Sequence, residues 1–169
     1  MKLDPVLQKH IKHMPQGDDT TLIILKGHLL LEELLMQIVR TVVAHGNLLE
    51  DTRLTFAELA SLARSMCWSK HNSDMWDLIS SINVLRNDLA HKLESPKFEQ
   101  KLKHVLEAHI SSIEDPEKRS EVEAMSVPDQ LKFAVVYTMG FLNSYLSDAQ
   151  AYRKTVDNLY KTLESLPKD

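Results

Sequence analysis

The stretch that decides the fold is residues 21–43, TLIILKGHLLLEELLMQIVRTVV. Apolar side chains fall on nearly every side of a helix drawn from this sequence, which is typical of a helix at the centre of a bundle. Charged and titratable residues interrupt the stretch too often for a membrane span, and these are Lys26, His28, Glu32, Glu33 and Arg40. We therefore expect an all-α protein that has no membrane segment.

The flanks of this stretch carry signals for where the helix starts and stops. Asp18 or Asp19 can accept a hydrogen bond from a free backbone N–H of the first turn. Gly46 stands where the C-terminus of a helix favours glycine. These signals predict a helix that runs to about His45.

Capping residues place the remaining elements. Serine, threonine, aspartate and proline at a helix start satisfy or remove free N–H groups. The signals predict a helix over residues 3–14 within an N-terminal segment 1–17, and a helix from the capping box Thr55-Phe-Ala-Glu58 to near Cys67. They also predict a motif helix over residues 74–93 capped by Ser73 and a helix that starts at Ser95-Pro96. A charged connector over residues 114–127 and a long helix over residues 128–166 follow. Residues 18–113 are expected to form the bundle core of a single domain spanning residues 1–169.

Composition excludes several classes of protein. The 169 residues include only four glycines and six prolines, fewer turn residues than an all-β fold needs. The single cysteine, Cys67, excludes an internal disulfide and a cysteine-based zinc site, so a reducing cytoplasm is the expected compartment. With 20 basic and 24 acidic residues the chain is no general polyanion binder, and any nucleic-acid role needs a local basic patch.

The long C-terminal helix has an apolar heptad pattern. One row holds Val135, Leu142, Ala149, Val156 and Leu163, and the other holds Tyr145, Tyr152, Leu159 and Leu166. A helix over residues 128–166 would be about 58 Å long, longer than a small domain is wide. Two interpretations follow: the helix packs on its own bundle, with a kink near Gly140, or its C-terminal half projects and takes a partner.

One run of residues suggests chemistry. Residues 85–92 read LRNDLAHK, and the run Arg86-Asn-Asp-Leu-Ala-His91 resembles the signature of the HEPN superfamily, in which an arginine precedes a histidine near the end of a helix. The order of elements over about residues 18–113 is also similar to that superfamily. The resemblance implies an up-and-down helical bundle that forms homodimers. In active members it implies a metal-independent endoribonuclease without cofactor, its arginine and histidine lining a cleft between protomers.

The residue types suit that chemistry. His91 has an ordinary pKa near 6.5 and can take or return a proton as general acid and base. Arg86 can hold the phosphate and stabilise the charge that builds on its oxygens. Asn87 and Asp88 are expected to support this pair. We expect the target to be single-stranded or loop RNA, because its phosphodiesters can adopt the in-line geometry that a duplex resists.

The spacing of the pair raises a geometric difficulty. Residues five apart on an ideal helix point about 140° away from each other, so Arg86 and His91 do not share a face. Within one chain, either the arginine side chain curls round or the helix unwinds near His91. Between chains, a two-fold dimer can bring the arginine edge of one helix beside the histidine of its partner.

A non-catalytic interpretation of the same residues stays open. His91 and Lys92 stand in the last turn of a helix, where positive groups are favoured. Asp88 and Lys92 are spaced as an ordinary i,i+4 pair, and Arg86 can bond the carboxylates of Glu32 or Glu33. The chain would then be a HEPN-like helical module for protein–protein interaction or regulation.

The region after the motif bears on two expected partners, RNA and a regulatory protein. Lys92, Lys97, Lys101 and Lys103 form a basic strip that could guide RNA across a dimer cleft. Some toxin members of the superfamily carry a tyrosine two positions after the histidine that a partner enzyme modifies. Leu93 stands there in this chain, which disfavours that modification but leaves a protein antitoxin open as a regulatory partner.

The other histidines show no metal-binding pattern. His10 and His13 are three apart, and His104 and His109 are five apart, but neither pair has a carboxylate at a recognised metal spacing. We expect them to face solvent and expect no metal site.

Overall fold

The structure, a computed structural model, describes residues 4–66, 73–91 and 97–165. Within these residues it contains helices and no strand, which confirms the all-α bundle with a long C-terminal helix. The elements are α1 (Pro5–Lys12), α2 (Thr20–Val42), a 3-10 turn (Gly46–Leu49), α3 (Phe56–Met66), α4 (Ser73–His91), α5 (Phe98–Ser112), α6 (Pro116–Glu123) and α7 (Val127–Glu164).

Helix α2 lies at the centre of the bundle, as its sequence predicts. Asp19 caps it by accepting a hydrogen bond from the Leu22 N–H at 3.0 Å. Its buried side chains pack against α3, α4 and α7. Because α2 contacts three other helices, residues on its buried sides set the position of those helices.

The end of α2 differs from the prediction. The helix stops at Val42, and Gly46 begins the 3-10 turn without adopting a positive φ. A Cβ at Gly46 would lie 2.1 Å from the backbone oxygen of Arg40, so the close approach of two backbone segments is what requires glycine. Arg153 of α7 caps the end instead, its Nη1 donating to the carbonyl oxygens of Val43 and Ala44 at 3.1 and 3.3 Å.

Two other predicted caps are confirmed, whereas Ser73, predicted to cap α4, is its first residue and donates to Asp74 Oδ1 at 3.2 Å. Asp4 accepts from two N–H groups of α1, and the Thr55–Glu58 capping box closes in both directions at the start of α3. The charged connector over residues 114–127 contains α6, which buries Val122. The predicted end at Cys67 and the Ser95-Pro96 start lie outside the described residues, and α5 begins at Phe98.

Helix α7 packs along α2 and then extends beyond the bundle. Gly27 of α2 allows the close approach, since a Cβ there would lie 2.9 Å from Val135 Cγ1. The helix continues through Gly140 and spans about 57 Å at 1.5 Å per residue. Its last buried side chain is Ala149, and none is buried over residues 150–164. The C-terminal end therefore projects, as the second interpretation expects, and its partner stays a prediction.

Among the described residues, no helix is both long enough and apolar enough to cross a bilayer.

Candidate functional site

The motif singled out in the sequence, residues 86–91, occupies the last turns of α4, which is helical through His91. Arg86 is half-buried, and its Nη1 donates a hydrogen bond to Asn87 Oδ1 at 3.2 Å. The helix therefore does not unwind before position 91. The described part of the helix shows the Arg86 side chain bent toward Asn87, its neighbour in sequence.

Asn87 belongs to a row of polar positions along α4. Ser80 stands seven residues earlier, about 20° away around the helix axis, and Asn83 lies between them. Position 91 follows Asn87 by four residues, about 40° around the axis, so it continues the same row by one turn. The side chain of His91 lies outside the described residues. The Arg86 guanidinium is thus drawn toward the row on which position 91 stands.

A buried histidine on α2, His28, contacts one residue of this row, Asn83. His28 is 4% exposed, and its Nε2 donates to Asn83 Oδ1 at 3.0 Å. Its ring stacks on Phe56 of α3 with a centroid separation of 4.2 Å. Its Nδ1 lies 3.7 Å from Glu32 Oε2. Three helices therefore fix the orientation of the Asn83 amide, one turn before Arg86.

Burial favours the neutral form of the His28 imidazole. Burial lowers the pKa of the His28 imidazole below its ordinary value, and the nearby positive charge of Arg86 lowers it further. The hydrogen bond to Asn83 and the charge of Glu32 act in the opposite direction without reversing the shift. A neutral ring with its proton on Nε2 can donate to Asn83 and carries no charge for Arg86 to repel.

Sequence reasoning treated His28 only as one of the charges that exclude a membrane span. A signal was present, because His28 lies three residues before Leu31 and four after Ile24, both of which are buried on the core side of α2. A polar side chain on the buried face of α2 needs a hydrogen-bond partner, and here that partner is Asn83 of the motif helix.

Asp88 faces α5. Its carboxylate forms an ion pair with Lys101 of α5, and its side chain is only 10% exposed. Lys92, its expected i,i+4 partner, lies outside the described residues. Arg86 also departs from the non-catalytic prediction, because its described hydrogen bond goes to Asn87, while Glu32 lies beside His28 and Glu33 beside Lys9 and His10.

The four lysines expected to guide RNA have different surroundings. Lys101 is paired with Asp88, and Lys103 lies 3.4 Å from Glu107 on the same helix. Lys97 is exposed at the start of α5, and Lys92 lies outside the described residues. The acids beside Lys101 and Lys103 offset part of the positive charge that the sequence assigned to this strip.

Two of the remaining histidines correct the expectation of solvent exposure. His10 is 1% exposed because α1 packs against the bundle; its Nδ1 donates to the Val6 carbonyl, and its Nε2 lies 3.7 Å from Glu33. His109 is fully buried under the rings of Phe133 and Tyr137, and burial lowers its pKa to about 4. Packing against another helix, which a single helical stripe does not reveal, accounts for both.

Within the part of the chain that the structure describes, no three histidine, cysteine, aspartate or glutamate side chains are grouped to hold a metal ion. Comparison with protein-family models, curated proteins and solved structures finds no match to this chain.

Proposed function

We propose that this chain is a metal-independent endoribonuclease of the HEPN type, which cuts single-stranded or loop RNA as a cytoplasmic homodimer. His91 is the general acid and base, Arg86 is the phosphate ligand, and Asn87 positions Arg86. The observation that carries the proposal is the hydrogen bond from Arg86 to Asn87, because it turns a half-buried cation toward the helical row of position 91.

The reaction uses only groups of the chain and the RNA. The 2′-hydroxyl loses its proton and attacks the adjacent phosphorus, the 5′-oxygen leaves with a proton, and a 2′,3′-cyclic phosphate results. An imidazole can move both protons near neutral pH. The guanidinium stabilises the negative charge that develops on the phosphate oxygens, and its fixed position avoids reorganisation during the reaction.

His28 and the two residues that it contacts, Phe56 and Asn83, form a cluster with a positioning role in this scheme; we call it the His28 cluster. Neutral His28 fixes Asn83, and Asn83 stands one turn before Arg86 on α4. A neutral imidazole near Arg86 adds no second positive charge, so it does not repel the guanidinium. Dimerisation would place a second motif helix opposite the first, which suits a cleft between protomers.

The test is a panel of single-stranded and hairpin RNAs incubated with the protein in EDTA. We expect products that end in 2′,3′-cyclic phosphate, and we expect the same sequences made entirely of 2′-deoxy nucleotides to stay intact. Cleavage of the deoxy substrates, or no cleavage of any RNA, would contradict the proposal.

A second candidate function is a helical module for protein–protein interaction, with a second copy or an antitoxin-like regulatory protein as partner. The exposed apolar residues on the projecting end of α7 favour it, namely Tyr152, Leu159, Tyr160 and Leu163. An isolated helical segment of this length is marginally stable in water and gains from a partner.

A chain that ends at Lys154 tests the second candidate while keeping the Arg153 bonds to Val43 and Ala44. If α7 mediates association, the shortened chain should keep its melting temperature but lose the dimeric mass that the full chain shows in solution. An unchanged mass would argue against that role.

A further inference from the structure

A small groove lies between α3 and α4, on the side of the motif toward the start of α4. It is lined by Ser80 and Asn83, two members of the polar row of α4. Its volume is about 160 Å³, and its polar lining comes from Ser61 and Arg64 of α3 and from Ser80 and Asn83 of α4. The indole of Trp76 forms part of its wall. The groove is therefore bounded by two helices and ends next to the His28 cluster.

The groove is rich in hydrogen-bond donors, and the described residues of its lining include no carboxylate. Most helical serines of this chain donate to a carbonyl of their own helix, as Ser65 and Ser81 do at 2.9 and 2.8 Å. Among the described residues, Ser61 and Ser80 form no such bond, so their hydroxyls are available to a ligand. Asn83 has its oxygen engaged by His28, which leaves its NH₂ group as a further donor.

We propose that this groove binds a second phosphate of the RNA strand, near the phosphate held at Arg86; the inference rests on the proposed function and names a second substrate subsite. Ser80 and Asn87 are seven residues apart on one helical row, about 10 Å along the axis. A strand that follows this row passes from the motif to the groove without crossing the helix.

The chemistry of the lining selects an oxyanion. Arg64 supplies a positive charge, and hydroxyl and amide donors supply short hydrogen bonds to phosphate oxygens. A carboxylate would repel such a ligand, and none is present among the described residues that line the groove. The groove is smaller than a pocket for a whole drug-sized ligand, which suits a single phosphate group with the rest of the nucleotide outside it.

The test measures binding without cleavage. A tetranucleotide of 2′-O-methyl RNA cannot be cut by 2′-hydroxyl attack, so its affinity is independent of catalysis. Trp68 is changed to Phe, which leaves Trp76 in the groove wall as the only tryptophan, and its fluorescence is followed during titration with the tetranucleotide or with inorganic phosphate alone.

We expect Arg64→Gln to raise the dissociation constant for the tetranucleotide by about tenfold or more and Ser80→Ala by a few-fold. Ser81→Ala is the matched control, because its hydroxyl is bound to the Asp77 carbonyl, and it should bind as the parent does. Equal affinity in all variants would overturn the subsite, as would binding of inorganic phosphate with no binding of the tetranucleotide. RNA cleavage that persists beside such a result would leave the proposed function standing, whereas groove-dependent binding in a protein that cuts no RNA would overturn the proposed function alone.

Discussion

Arg86 Nη1 lies 3.2 Å from Asn87 Oδ1, although the two residues are neighbours whose side chains leave the helix in different directions. The long arginine side chain has to bend along the helix surface to make this bond. Because Asn87 is exposed, replacing it should affect the orientation of Arg86 more than the stability of the fold.

Asn87→Ala should therefore lower the rate of RNA cleavage by about tenfold or more, since the phosphate ligand loses its positioning partner. The melting temperature should stay close to that of the parent. Asn158→Ala, which removes an exposed asparagine from α7, is the control and should leave the rate unchanged. A full rate in Asn87→Ala would show that the bond to Arg86 has no role in catalysis.

His109 makes stability depend on pH. Its pKa is about 4 in the folded chain because it is buried, against an ordinary value of 6.5 when unfolded. The unfolded chain therefore binds the proton more readily, and stability falls as the pH drops from 6.5 toward 4. Between pH 7 and pH 5 the loss from this residue should be about 2 kcal/mol in urea unfolding.

His109→Leu should remove most of that loss, while His104→Leu, at an exposed position of the same helix, should retain it. Some loss should remain in both, because burial also lowers the pKa of His28. If the parent and His109→Leu lose the same free energy of unfolding between pH 7 and pH 5, the burial of His109 is not the cause.

The contact between α2 and α7 depends on Gly27. An added Cβ would lie 2.9 and 3.0 Å from the two methyl groups of buried Val135, so Gly27→Ala should lower the free energy of unfolding by about 1 to 3 kcal/mol. Gly140→Ala is the matched control, since its Cβ would meet nothing within 4 Å and alanine favours the helix by up to about 1 kcal/mol. Opposite signs in urea unfolding are expected, and a stable Gly27→Ala would refute the close approach.

The ion pair between Lys101 and Asp88 links α5 to α4. Lys101→Met leaves a nearly buried carboxylate without its α5 partner and should cost about 1 to 2 kcal/mol. Lys103→Met breaks an exposed pair with Glu107 and should cost less than about 0.5 kcal/mol. The difference should appear in chemical denaturation at low salt. Equal costs would mean that burial of Asp88 adds nothing to the pair.

The features that sequence predicted are those with local causes. The apolar pattern of α2 and the caps at Asp19 and Thr55 depend on residues within a few positions of each other. The motif on α4 was also visible, because its residues are contiguous.

The features that sequence missed join distant segments. His28 and Asn83 are 55 residues apart, and Arg153 donates to the carbonyl of Val43, 110 residues earlier and just beyond the end of α2. The sequence predicts Gly46 as the glycine at the C-terminus of the helix, whereas the structure places it past the helix end, in close approach to the Arg40 carbonyl. Such contacts depend on how helices pack, which a helical repeat alone does not specify.

The central claim is that Arg86 and His91 together cut RNA. The most direct measurement compares the cleavage rate of one single-stranded RNA in EDTA by the parent, Arg86→Ala and His91→Ala, with the helical content and melting temperature of each recorded. We expect each substitution to lower the rate by about 100-fold or more while the chain stays folded. Parent-like cleavage by either folded variant, or an RNA left intact by the parent itself, would contradict the claim.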